Sequence, residues 1–249
     1  MNLVATSTLD HGRLVAPSRD ITPDRARPLV WGLTIVCALG FVAVAWLVST
    51  GATQGLDQEL LLAFREPADA NDALGPAWFE EMLAEITALG GYTILVILSG
   101  TVLALLLLTG ERQAALFLAL SLIGGSLVSS GLKALFSRPR PDLVDHLDQT
   151  FTSSFPSAHA MVSTLAYMTL AVVGIRFLAR HRTRTFLLVM AVLLALAIGA
   201  SRVYLGVHWP SDVLAGWLAG AAWAGITWLA ADAWTRSYAA PGRIGHSHV

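Results

Sequence analysis

His208 and Asp212 stand four residues apart in the stretch from Ser201 to Asp212, S-R-V-Y-L-G-V-H-W-P-S-D. At that spacing one turn of helix can bring the carboxylate to one imidazole nitrogen. Such a bond fixes the tautomer and leaves the other nitrogen free to attack. His159, which closes the stretch Phe155-Pro156-Ser157-Ala158-His159, comes from a different part of the chain. A second histidine opposite the first suits a general acid for a leaving oxygen. Three cations complete the set: Lys133, the only lysine in the protein, Arg140 and Arg202. The planar guanidinium fork of Arg140 matches phosphate oxygens. Guanidinium and ammonium groups can carry transition-state charge, so the set requires no metal and no other cofactor. The chemistry it suggests is attack on a bound phosphate.

Composition says where such a site would be held. The chain has 249 residues, 55% of them hydrophobic and 13% charged, about half the charged share of a soluble domain, which is about 25%. That balance predicts an integral membrane protein. The net charge of −1 argues against a nucleic-acid partner. Cys37 is the single cysteine and lies in an apolar run, so it makes no internal disulfide. Residues 29–49 carry no charge, and about 20 apolar residues cross a bilayer as a helix. Further candidate spans are 91–109, 114–135, 158–178, 186–204 and 213–231. The expected fold is therefore all-α, a bundle of six transmembrane helices over residues 29–235. Polar tails are expected at 1–28 and 236–249. His246 and His248 in the second tail are too weak a signal for metal binding.

Residues 51–90 read differently. Leu56, Leu60, Leu61 and Phe64 share one helical face, with Asp57, Glu59 and Arg65 off it. Trp78, Phe79, Met82, Leu83 and Ile86 repeat the pattern against Glu80, Glu81 and Glu85. Two short amphipathic helices follow, lying either in the membrane interface or as a cap on the bundle. The tryptophans Trp31, Trp46, Trp78, Trp217, Trp223, Trp228 and Trp234 are read as belt or packing residues.

Six spans put both termini on one side, and that side carries 11 of the 16 lysines and arginines. The positive-inside bias places it in the cytoplasm of a cell membrane. Lys133, Arg138, Arg140 and Arg202 fall on the outer side, together with His159 and His208. Taken singly, Lys133 or Arg202 could be an anchor whose charge reaches out of the bilayer, and either histidine a packing residue. Those readings leave unexplained why all of them share one face against the charge bias. The fourth and sixth spans also begin there, and helix starts offer free N–H groups and a positive dipole end to an anion. Pro156 and Pro210 are expected just inside those starts. Asp142, Asp145, His146 and Asp148 read as solvated loop residues.

The three motifs K-x6-R-P, P-S-x-H and S-R-x5-H-x3-D, running from Lys133 to Asp212, resemble the type 2 phosphatidic acid phosphatase (PAP2) superfamily, and the six-span layout extends the likeness over about residues 29–231. The resemblance implies that His208 is a nucleophile forming a phosphohistidine and Asp212 its partner. It implies that His159 protonates the leaving group and then activates water. Lys133, Arg140 and Arg202 would clamp the phosphate, Ser157 would hydrogen-bond one of its oxygens, and Ala158 would line the site where the family pattern has glycine. Alanine lacks easy access to positive φ, which matters unless the stretch is already helical. Arg138 is secondary by pattern, pairing with Asp142 or Asp145. The implied protein is a membrane lipid phosphatase acting on a lipid phosphate, phosphomonoester or pyrophosphate, at the outer leaflet. The same residues also fit a lipid phosphotransferase or a vanadate-binding haloperoxidase, and a phospholipid-binding or transport protein is the non-catalytic alternative.

Overall fold

Apolar runs free of helix breakers form long helices, and the computed structural model, which describes residues 26–148 and 152–239, shows them in the expected order. They are α1 (Ala26–Ser49), α2 (Gln54–Leu62), α3 (Ala77–Ala88), α4 (Tyr92–Leu108), α5 (Arg112–Phe136), α6 (Ala158–Ile175), α7 (His181–Tyr204) and α8 (Pro210–Ala239). Helices α1, α5, α6, α7 and α8 are each long and apolar enough to cross a membrane. Helix α4 has only 17 residues. It joins α3 across a bend of 46°, and the pair together makes a sixth candidate span. The corner is tight. A Cβ on Gly90 would lie 2.4 Å from Ile198 Cγ2 and 3.4 Å from His159 Cδ2, so glycine there lets the bend press against α7 beside the histidine. Helix α8 continues past the expected end at 231 to Ala239. The remaining tail residues, His246 and His248 included, lie outside the described residues.

Helix α6 is the centre of the bundle and packs against α4, α5, α7 and α8, while α1 lies along α8. Small residues let helix backbones approach closely in a membrane, where packing rather than water exclusion drives association. Gly216 and Gly220 do this on α8. A Cβ at Gly216 would meet Ser157 O at 2.7 Å, and one at Gly220 would meet Met161 O at 2.5 Å. The start of α6, which carries His159, is thereby held directly against the start of α8, which carries Asp212.

Residues 51–90 form the two expected short helices, with an unexpected hairpin between them. Strand β1 (Arg65–Glu66) pairs antiparallel with β2 (Asp69–Ala73), in the register Arg65↔Ala73 and Glu66↔Asp69. The expected apolar face of the first helix is split: Leu56, Leu60 and Phe64 are exposed, whereas Leu61 is buried together with Asp57 and Arg65, which are at 2% and 5% exposure. Helix α2 packs on α8 and α3 on α7, so the segment is a cap on one end of the bundle. Asp57, Leu61 and Arg65 face in, and Phe79 and Leu83 of α3 pack against Tyr204, Leu205 and Val207. Leu56, Leu60 and Phe64 face out, as a surrounding of lipid tolerates.

Candidate active site

The ends of α5, α6, α7 and α8 converge beneath this cap. Helix α7 stops in a Schellman motif: Gly206 N–H donates to Val203 O at 3.0 Å and Val207 N–H to Arg202 O at 3.2 Å. Gly206 takes φ +75°, a left-handed conformation that glycine adopts freely. The chain then turns through His208 and Trp209 and re-enters a helix at Pro210, the first residue of α8. Asp212 sits in the first turn of α8 and reaches back to accept the Trp209 N–H at 2.9 Å. That is the reciprocal half of a capping box. The carboxylate that faces His208 therefore also caps the helix that carries it.

His208 is 2% exposed and Asp212 fully buried. His208 Nδ1 lies 3.5 Å from Asp212 Oδ2 and 3.5 Å from Ser154 Oγ. Its Nε2 points the other way, 3.3 Å from Arg140 Nη1. The 3.5 Å separation is longer than a good hydrogen bond, and catalytic hydrogen bonds often tighten only when substrate docks. Burial pushes the His208 pKa down to about 4, against the opposing pull of the Asp212 carboxylate. The imidazole is thus held neutral, as a nucleophile must be.

Asp212 has more partners than His208 alone. Ser154 Oγ donates to its Oδ2 in a short hydrogen bond, and Arg138 Nη1 donates to its Oδ1 at 2.6 Å. Arg138 thus corrects the expected pairing with Asp142 or Asp145. Its second nitrogen, Nη2, bonds Asp57 Oδ2 at 2.8 Å, and its guanidinium lies over the Trp209 ring at 5.6 Å. Asp57 and Ser154 were absent from the sequence-derived set. Ser154 had a usable signal, since it stands directly before Phe155-Pro156-Ser157. Asp57 had none, being far away in the chain on a helix read as facing the other way.

The expected clamp residues come together at the same end of the bundle. Arg140 Nη1 donates to Val207 O at 2.6 Å and its Nε to Thr152 O at 2.8 Å. Burial and the neighbouring Arg202 charge pull its pKa below the ordinary arginine value. Lys133 Nζ donates to Ser153 O at 2.5 Å. Arg202, 1% exposed, donates through Nη1 to Asp148 Oδ2 at 2.6 Å and to Thr87 Oγ1 at 3.0 Å. Asp148 is therefore an ion-pair partner inside the site and not simply a solvated loop residue. His159 lies close enough to His208, Arg202, Lys133 and Asp148 for their charges to act on its ring.

The two helix starts differ. Ser211 N–H of α8 is taken by Asp57 Oδ1 at 2.9 Å, and Trp209 N–H by Asp212, so the donors of α8 are already used. At α6, Ala160 N approaches Ser157 Oγ only at 3.5 Å. The amides of Ala158 and His159 make no hydrogen bond among the described residues. An anion would therefore find free donors at α6 rather than at α8. Ser157 is the buried N-cap of α6, and its N–H donates to Asp212 O at 3.0 Å. Pro156 lies before that cap, after a cis bond, and not inside the helix as expected. Ala158 is the first residue of α6, and Ser137 alone among the described non-glycine residues has positive φ. Alanine at position 158 is consequently unstrained. Among the described residues, no group of three or more His, Cys, Asp or Glu is placed to hold a metal ion.

Known proteins share this arrangement of helices. A model of the PAP2 superfamily matches residues 114–236. Phosphatidylglycerophosphatase B of Bacillus subtilis is 30% identical over 188 residues, which are 73% of this chain and 86% of that protein. An undecaprenyl-diphosphatase of Sulfolobus acidocaldarius is 36% identical over 67 residues, 27% of this chain and 28% of that protein. The crystal structure of a transmembrane PAP2-type phosphatidylglycerolphosphate phosphatase from Bacillus subtilis superimposes with a TM-score of 0.67 at 25% identity, covering 86% of this chain and 98% of that one.

Proposed function

The chain belongs to the PAP2 superfamily and is a multi-pass membrane lipid phosphatase; from that premise we propose its mechanism, its substrate and the face on which it works. His208 Nε2 attacks phosphorus in line while Asp212 stabilises the charge that develops on the ring. The bond from phosphorus to the lipid oxygen breaks, and His159 gives that oxygen a proton. His159 then takes a proton from water, which attacks the phosphohistidine and frees inorganic phosphate. Lys133, Arg140, Arg202 and the free amides at the start of α6 hold the phosphate oxygens, and no metal takes part.

One observation carries this reading: the buried, neutral His208 has Nδ1 toward Asp212 and Nε2 toward Arg140. A nucleophile needs an orienter on one nitrogen and the bound phosphate on the other, and Arg140 marks the phosphate side. The substrate is a lipid phosphate of the phosphatidylglycerophosphate or undecaprenyl diphosphate kind. The relative that aligns over most of its length is named for the first, and the undecaprenyl-diphosphatase, which aligns over a short stretch, for the second. The lipid enters from the outer leaflet with its tail in the bilayer, a face supported by the arginine distribution.

The test is phosphate release from both lipids, side by side, by purified protein in EDTA. Wild type is expected to release phosphate from at least one lipid, and His208→Ala to lose more than about 1,000-fold in kcat, as loss of a covalent nucleophile does. Substantial turnover by His208→Ala would sink the phosphohistidine mechanism.

A further inference from the structure

We propose that Asp57, on the capping helix α2, is a positioning residue for this reaction, acting through Arg138 to keep Asp212 both aligned with His208 and effectively anionic toward it. The inference rests on the phosphohistidine reading above and concerns the same site.

Two demands on Asp212 conflict. Attack by His208 builds positive charge on the imidazole, and Asp212 is placed to stabilise it. Yet Arg138 sits 2.6 Å from the same carboxylate. A lone guanidinium at that distance would largely cancel the charge that His208 needs. Asp57 resolves the conflict by holding the other end of Arg138 at 2.8 Å. The charges then alternate, Asp57 negative, Arg138 positive, Asp212 negative, and the group of three keeps a net negative charge. Buried charges are tolerated when each is paired and hydrogen-bonded in this way.

Asp57 also fixes geometry. Its Oδ1 accepts the Ser211 N–H at 2.9 Å and its Oδ2 the Ser211 hydroxyl at 2.7 Å. Ser211 is the residue immediately before Asp212, so α2 caps the turn of α8 on which the carboxylate rides. Arg138 Nη1 bonds the same hydroxyl at 2.8 Å. A carboxylate 2% exposed, from a segment far away in sequence, thus directs its side-chain hydrogen bonds to the two residues that hold Asp212. None of those contacts is to His208 or to the phosphate clamp. Its influence on the reaction must therefore pass through Arg138 and α8.

The test uses the full-length protein with phosphatidylglycerophosphate or undecaprenyl diphosphate, whichever wild type hydrolyses, and inorganic phosphate as competing ligand. Asp57→Asn is expected to lower kcat about 10–100-fold, the range that misplacement of a reacting group commands. KM and the inhibition constant for inorganic phosphate should stay within about two-fold, because the clamp is untouched. Asp57→Glu, which keeps the charge, should recover part of the lost kcat. Arg138→Gln should fall in the same range, and the double variant should be no worse than the poorer single one, since both break one network. Wild-type kcat in Asp57→Asn would overturn the proposal. So would equal losses in the Asn and Glu variants accompanied by equal falls in melting temperature, which would make Asp57 a structural cap only. If Asp57→Asn does not fold, Arg138→Gln carries the same test. Failure of wild type itself to release phosphate would sink the underlying reading instead.

Discussion

Asp148→Asn should make the enzyme bind phosphate more tightly. In the structure the Asp148 carboxylate occupies Arg202 Nη1 at 2.6 Å, on a guanidinium proposed to hold a substrate oxygen. Substrate must then displace Asp148 before Arg202 can serve it. Arg202 is 1% exposed and Asp148 38% exposed, so the pair is only half shielded from water. Exposed ion pairs are worth about 0.2–1 kcal/mol, and one partner here is buried, which places this pair near the top of that range at about 1 kcal/mol. Because 1.4 kcal/mol is tenfold, removing the competing charge should strengthen phosphate binding about five-fold. Asparagine keeps an oxygen for Nη1, and Thr87 Oγ1 at 3.0 Å still holds the guanidinium, so the clamp geometry should survive. The assay is the inhibition constant of inorganic phosphate and the KM for lipid, with kcat as the control. Both constants should fall about five-fold, more at low salt than at high salt because screening weakens the competing pair. Unchanged or weaker phosphate binding would refute the reasoning, since it would mean that Asp148 preorganises Arg202 rather than competing for it.

Two further outcomes follow from the same geometry. Ser154→Ala removes one of several donors to the buried Asp212, and a hydrogen bond to a charged group is worth about 1.5–3 kcal/mol. The variant should lose stability of that order in thermal melts and turn over more slowly, with KM little changed. The pH dependence of stability should report His208, whose pKa falls from 6.5 to about 4 on folding. A depressed native pKa means that the unfolded chain takes up the proton first. The stabilisation is present above pH 6.5 and is lost as pH falls through 4, in all roughly 3 kcal/mol by linkage. Melting temperature should drop across that window in wild type and drop less in His208→Gln, where His159 is still present. Equal slopes in the two proteins would show that the group responsible is elsewhere.

Much of this molecule can be read from its sequence because a membrane narrows the choices. Only helices or closed barrels span a bilayer, so long apolar runs translate almost directly into α1, α5, α6, α7 and α8. Alternating spans then carry Lys133, His159, Arg202 and His208 to one end without knowledge of the packing. What stayed hidden was whatever depended on contacts across the chain. Arg138 reads as surplus beside Arg140 until α2 and α8 close on it from opposite sides. Asp148 reads as a loop acid until Arg202 is seen beside it. Proline at 156 reads as a helix start because proline favours that position. The helix begins two residues later, after Ser157 has capped it.

The burial of Asp57 on α2 follows from what surrounds the helix. Amphipathic patterning sorts residues by the rule that the apolar side turns from water into a core. A helix at the rim of a lipid-embedded bundle has lipid outside and a charged site inside, so Leu56 and Leu60 can turn out while Asp57 turns in beside Leu61. Leu56 at 60% exposure and Asp57 at 2% sit next to each other in sequence, and Leu61 at 0% is buried on the side of Asp57, so the buried side is not the one that the leucines alone mark. That placement has a consequence for the site. An ionisable residue turned inward in such a protein is costly and persists where it is paired. Asp57 meets that condition by pairing with the arginine that holds Asp212. The cap formed by residues 51–90 is therefore joined to the site around His208 and Asp212 by charge as well as by packing.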